Sequence, residues 1–341
     1  MSFQFPSNTI TIDAALRDLV QGSPRARALA AHALGDVTDP TEKHRALEAL
    51  IRALDDDRPE VRSEAASSLG DLKDEAAIPH LIKRLDDGIA AVRQNAAIAL
   101  GTIGHPDGFD HLALALRQGP ADLRFQAATS LAEIDGTRAF EPLVAALGDG
   151  DPQVVGAAAL SLGAIGDQRA VPALRPVLAH RELAARFDAA YALAELGDPT
   201  GRAILVDALA DLERAWDAVT ALITLGGPED AEALGRGLTN RKVPPEATVL
   251  AAGGILRIEL ATSPPRRADR SSPDVEAARR VLLAGLAARK VHVRGLAVEQ
   301  LGAVGGAWAK EPLEKLARSG KGGEVLEAIS AALRAIEERA S

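Results

Sequence analysis

The chain has no cysteine among its 341 residues, which excludes a disulfide framework, a Cys-ligated zinc site, an iron–sulfur cluster and a thiol nucleophile. Aromatic residues are scarce too, with two Trp, one Tyr and six Phe, although hydrophobic residues make up 47%. The apolar content is therefore mostly Ala, Leu, Val and Ile, which suits thin, closely spaced helices. Long apolar runs are missing: nothing approaches the ~18 uninterrupted apolar residues of a spanning helix, so no membrane insertion is expected. The opening MSFQFPSNTI has no basic n-region and no apolar run of signal-peptide length, and the chain reads as soluble and cytoplasmic. Cations are the minority charge, 39 Lys and Arg against 48 Asp and Glu, for a net charge of −9. That balance disfavours a protein whose main task is to neutralise phosphates.

What the sequence does have is a period. VRSEAASSLGDL, starting at Val61, returns as VRQNAAIALGTI at Val92, LRFQAATSLAEI at Leu123, VVGAAALSLGAI at Val154 and ARFDAAYALAEL at Ala185, each 31 residues after the last. Within the unit, Val61, Ala65, Leu69, Arg62 and Ala66 fall inside about 140° of a helical wheel, with Ser63, Glu64 and Ser67 opposite. A turn follows, then a second apolar pattern such as Ile78, Leu81, Ile82 and Leu85. In Asp151-Pro152 and Asp198-Pro199 the Asp reads as an N-cap and the Pro as the first helical residue. Each unit is thus an antiparallel helix pair that cannot bury its own apolar faces, and neighbours must stack.

The pattern VRxxAAxALGxIGDxxAxxxLxxxL resembles the short HEAT-type repeat of the phycobilisome-lyase-like class, over nearly the whole chain. The resemblance implies an all-α fold, a right-handed α-solenoid of about nine helix pairs. It leaves the task open, because that repeat occurs in chromophore lyase subunits, protein-modifying hydroxylases, DNA glycosylases and plain scaffolds. The spacing predicts a leading helix at 13–20, pairs beginning near 24, 58, 89, 120, 151, 182, 212, 243 and 289, and a closing helix at 324–338. The expected segments are an N-terminal extension and capping helix (1–23), repeats (24–258), a Pro/Arg/Ser-rich inserted loop (259–274) and C-terminal repeats with a capping helix (275–341). The repeat step also shortens, to 29 residues, between Leu193 and Leu222.

Few residues suggest chemistry. Arg62, Arg93, Arg124 and Arg186 share a repeat position, and each is expected to pair with a loop Asp of a neighbouring repeat, where its planar fork takes a carboxylate. The histidines lack paired metal-ligand spacing and the adjacent His-Glu dipeptides of the HEAT-type hydroxylases; no metal, cofactor or catalytic residue is assigned. SGKGGEV at Ser319–Val325 lacks the Gly-Lys-Ser/Thr of a phosphate loop and reads as an inter-helix loop.

The candidate partner-binding residues fall in three groups. Arg52, His80, Lys83, Arg84 and Arg236 lie on second helices, expected to line the concave face, with small apolar residues between them. That lining suits a peptide or helix of another protein better than nucleic acid. Phe187, Tyr191 and Trp216 fall where the step shortens, and either fill the gap or anchor a partner. Arg266, Arg267 and Arg270 stand in the inserted loop and could dock an acidic partner or phosphate. The reading is a non-catalytic scaffold or adaptor binding a partner protein on its concave face, with self-association allowed. The alternatives are a lyase-like or protein-modifying enzyme subunit and a nucleic-acid-binding HEAT-like protein.

Overall fold

The computed structural model describes residues 11–262 and 272–339, which contain twenty α-helices and no strand. The chain divides into two compact units at Ala173 and Leu174. In the first, a leading helix α1 (Ile12–Gln21) precedes the pairs α2 (Pro24–Gly35) with α3 (Pro40–Ala53), α4 (Pro59–Leu72) with α5 (Ile78–Arg84) and α6 (Ala90–Ile103) with α7 (Phe109–Gln118). Next come α8 (Ala121–Ile134) with α9 (Gly136–Ala146), and α10 (Pro152–Ile165), followed by the single turn α11 (Val171–Leu174). The second unit holds α12 (Leu183–Glu195) with α13 (Arg202–Ala208), α14 (Ala215–Leu225) with α15 (Pro228–Leu238), α16 (Pro245–Thr262) with α17 (Pro273–Gly285), α18 (Val291–Val304) with α19 (Ala307–Ala317), and the closing α20 (Leu326–Glu338). Each unit is a short all-α solenoid, and the expected pairs are present.

The inserted loop is narrower than 259–274. Helix α16 continues to Thr262 because Leu256 and Ile258 are still buried, and Ser272 caps α17 by accepting from the Val275 amide. Arg266, Arg267 and Arg270 lie outside the described residues.

The repeated Leu69, Leu100, Leu131 and Leu162 are buried completely or nearly so, each removal from water being worth about 1.5–3 kcal/mol. Around them, small residues let each first helix lie against the next. A Cβ added to Gly35 would stand 2.8 Å from the Ser68 Cβ, one on Gly70 3.0 Å from the Ala99 Cα, and one on Gly101 2.8 Å from the Ser130 Cβ.

The turns are held by the repeat arginines. Arg62 donates from Nε and Nη2 to both carboxylate oxygens of Asp87, each at 2.9 Å, and from Nη1 to the Asp56 carbonyl at 3.0 Å. Arg124 repeats this with Asp149, at 2.7 Å twice, and the Gly119 carbonyl at 3.0 Å. Arg93 takes Asp122 and the Asp87 carbonyl, both at 2.8 Å. Arg27, outside the 31-residue register, meets Asp56 at 2.8 Å. Arg186 departs from the expectation: it donates to the His180 and Arg181 carbonyls at 2.8 and 3.0 Å, and among the described residues no carboxylate faces it at hydrogen-bond distance. The hydrogen bonds from Arg62 and Arg124 hold the carboxyls of Asp87 and Asp149 below the usual carboxylate range. The stability they add is present above the ordinary carboxylate pKa and is lost as pH falls through the lowered one.

Two predictions follow from these turns. Arg124→Ala strands a largely buried Asp149 as well as a turn carbonyl, and should cost about 2–4 kcal/mol in urea denaturation; Arg186→Ala, which strands only carbonyls, should cost about 1 kcal/mol. Equal losses would show that the carboxylate adds nothing. Lys73 closes α4 at φ 53°, where Gly104 and Gly166 serve the following repeats. Lys73→Gly should raise stability by about 0.5–1 kcal/mol, the relief of left-handed strain less the backbone entropy of glycine; a lower unfolding midpoint would contradict this.

Candidate functional site

Two rows of helices run through the first unit, and their spacing differs. First helices touch through Gly, Ala and Ser, as the close approaches at Gly35, Gly70 and Gly101 show. Second-row helices diverge: a groove of about 480 Å³ opens between α1 and α3, and one of about 600 Å³ along α5 and α7. The first helices, packed most closely, are termed the inner row of this unit and the second helices the outer row. Their larger side chains, such as Arg45, Arg52, Lys83 and Leu114, hold the outer row apart.

The second-helix candidates therefore sit on the outer row or within turns. Arg52 is exposed in the α1–α3 groove, and Lys83 lines the α5–α7 groove. His80 is half-buried on α5. Arg84 is committed to the fold, donating to the Leu54 carbonyl at 3.1 Å and lying 3.3 Å from Asp55. Arg236, on α15 of the second unit, pairs with Glu232 at 2.9 Å.

The inner row of the first unit instead exposes apolar side chains that were not among the candidates. Ile98 on α6, Phe125 on α8 and Leu160 on α10 are 41%, 38% and 39% exposed. Ile98 and Leu160 occupy the same repeat position, and Phe125 lies one turn from that position on the helix between them. The signal was available: at these outward positions the fourth repeat, counted from Val61, has Leu160 where the first has Ser67.

In the second unit the three aromatics separate. Phe187 is buried and walls a groove of about 190 Å³ with Leu183 and Ile204, while the Arg214 guanidinium lies 5.9 Å from its ring centre. Its position on α12 turns it toward the neighbouring helix, so it fills the irregular step and is not presented to a partner. Tyr191 is half-buried on the outward side of α12, and Trp216 is 45% exposed on α14.

Beside Tyr191 stands an unassigned carboxylate. Asp188 is half-buried and accepts no hydrogen bond among the described residues. Burial pushes its carboxyl up to about 6, with Arg214 partly offsetting and Asp217 adding to the rise. Burial also raises the Tyr191 phenol, reinforced by Glu195 and Asp217. Elsewhere in this unit Glu246 is held down at about 2, chiefly by its 2.8 Å hydrogen bond with His292. Among the described residues no three His, Asp or Glu side chains converge as a metal site, and no helix is long and apolar enough to cross a membrane.

Two rows of paired helices, small-residue contacts along one row and an Arg in several of the turns define a helix-pair repeat protein. The chain matches the family model for HEAT repeats over residues 13–101, 109–186 and 140–223, more than half its length, and belongs to that family. The PBS lyase HEAT-like repeat matches over 92–118. No curated protein matches the chain. Importin beta is similar with a TM-score of 0.53 at 14% identity, over 95% of this chain and 52% of that one, so the chain spans about half of it. An engineered protein is similar at 21% identity and a TM-score of 0.42, over 96% of this chain and 98% of its own. The CpcE–CpcF complex of phycocyanin lyase from Nostoc sp. PCC7120 is similar at 25% identity and a TM-score of 0.40, over 82% and 97%.

The raised carboxyl has a defined sign. Folding takes up a proton at Asp188 between its ordinary pKa near 4 and its folded value of about 6, so stability falls as pH rises through that window and stays lower above it. Asp188→Asn should remove this fall and stabilise the protein at pH 7.5 by on the order of 1–2 kcal/mol, with little gain at pH 4. An equal gain at both pH values would assign the effect to something other than the charge.

Proposed function

We propose that the protein is a non-catalytic interaction scaffold or adaptor, and that the inner face of the first unit binds a partner protein. One observation carries this reading: three consecutive first helices each leave an apolar side chain exposed, Ile98, Phe125 and Leu160, within one turn of the same repeat position. Each of these side chains could have been polar at no cost to the core, as Ser67 is at the matching position of α4. Contiguous exposed apolar side chains on an otherwise polar face are the mark of an interaction surface. The outer-row cations, by contrast, are largely tied to carboxylates, as in Arg45 with Asp13 at 2.6 Å and Arg138 with Asp110 at 2.9 Å. This favours a protein partner over nucleic acid, which needs a continuous free cationic track.

The test is affinity capture of the full chain from its native cells, with quantitative mass spectrometry on three forms: unaltered, Ile98→Asp with Leu160→Asp, and Lys83→Ala. A stoichiometric partner lost with the double inner-row variant and kept with Lys83→Ala is the expected result. Retention of every partner by the inner-row variant, with its helical circular dichroism intact, would remove the proposal.

A further inference from the structure

Resting on that reading, we infer that the occupant of this inner face is a cationic amphipathic helix. Around the stripe the carboxylates outnumber the cations. Along α4, α6, α8 and α10 the only cations are Arg62, Arg93 and Arg124, and all three are spent on the turns. The same helices carry Glu60, Asp71 and Glu133, which make no ion pair among the described residues, Glu64, whose partner is His32 at 2.8 Å, and Asp122, which Arg93 holds. The second helices α3, α5, α7 and α9 carry seven Lys and Arg residues against four Asp and Glu. The apolar stripe thus lies in an acidic field, and the matching partner sets apolar residues between Lys or Arg.

Geometry selects the helix. From Ile98 to Leu160 the stripe crosses two helix spacings, about 16–20 Å at 8–10 Å each. An α-helix covers that span in about 11–13 residues at 1.5 Å per residue, and residues i and i+11 differ by only ~20° around its axis. Apolar anchors at i, i+4, i+7 and i+11 would therefore meet Ile98, Phe125 and Leu160 in turn. Between α8 and α10 lies a groove of about 530 Å³, walled by Ala132, Leu160, Ala164 and Ile165 and also lined by Glu133. It suits a Lys or Arg, whose stem packs on the apolar wall while its charge reaches the carboxylate.

The probes are three capped 14-residue peptides read by fluorescence anisotropy on the full chain at 50 and 300 mM salt: Leu at i, i+4, i+7 and i+11 with Lys flanks, the same Leu pattern with Glu flanks, and a scrambled Leu/Lys control. The Lys-flanked peptide should bind best, more weakly at high salt. Leu160→Asp should weaken it at least about tenfold and Glu133→Gln about threefold, while Lys83→Ala leaves it unchanged. Glu133→Gln alters an exposed side chain and keeps the test valid should Leu160→Asp fold poorly. Equal binding of the scrambled control, or tighter binding of the Glu-flanked peptide, would overturn the cationic helix. If the Glu-flanked binding is itself lost with Leu160→Asp, the inner-face reading survives and only the partner chemistry falls. A Leu160-dependent dimer in sedimentation without peptide would likewise overturn it, assigning the face to a second copy. No peptide binding, together with capture unaffected by the inner-row variant, removes both readings.

Discussion

The distance at which one first helix can lie on the next sets most of what is distinctive here. With Gly70 against Ala99 and Gly101 against Ser130, the backbones approach until an added methyl would collide. The second helices bring Leu, Arg and Lys to the same level of the stack and cannot approach as far, which leaves wedge-shaped grooves such as the one along α5 and α7. The choice of small side chains on one row therefore decides which helices pack backbone against backbone and which are held apart by their side chains.

The turn arginines make that spacing repeatable. Each spans from a carbonyl at the end of the preceding turn to a carboxylate, so the angle at which the chain enters a first helix is fixed by hydrogen bonds as well as by packing. A planar donor with several N–H groups is suited to this because it can satisfy a carbonyl and a carboxylate at once. Arg186 keeps the carbonyl contacts and loses the acid, just before the point where the repeat step shortens. Val155, which replaces the Arg in α10, is fully buried, so packing substitutes for hydrogen bonding there.

The period, the pairing and the turn contacts were legible because each leaves a mark at a fixed spacing: Leu69 and its equivalents, Arg62 with Asp87, Asp151 before Pro152. Which row packs more closely was not read from those marks, since a helical wheel shows the buried side of one helix and not the relative spacing of two rows. The information was present in residue size. First helices carry Gly, Ala or Ser where they meet their neighbours, as at Gly35 and Ser68, while second helices carry Leu81 or Leu112 in their cores with long polar residues beside them. Phe187 was left between gap filler and anchor for a related reason: its wheel position marks it as an edge residue, and only the packing of the neighbouring helix turns that edge into core. Asp188 left no mark, because an Asp at an outward position looks like any solvated carboxylate until its surroundings are known.

The two units answer the same repeat differently at their outward positions. In the first, apolar residues replace polar ones on three successive helices while Glu60, Asp71 and Glu133 on the same row make no ion pair among the described residues. In the second, a carboxylate without a hydrogen-bond partner stands half-buried beside Tyr191, with Asp217 near enough to raise its pKa further. Neither arrangement helps the chain fold: exposed Ile98 and Leu160 forgo burial, and Asp188 opposes folding at neutral pH. In a HEAT-repeat array whose core and turns are otherwise so regularly satisfied, these are the positions where the sequence gives up stability. A cation supplied from outside would repay both, by covering the apolar stripe with its stem and by giving the carboxylates the partner that the fold withholds.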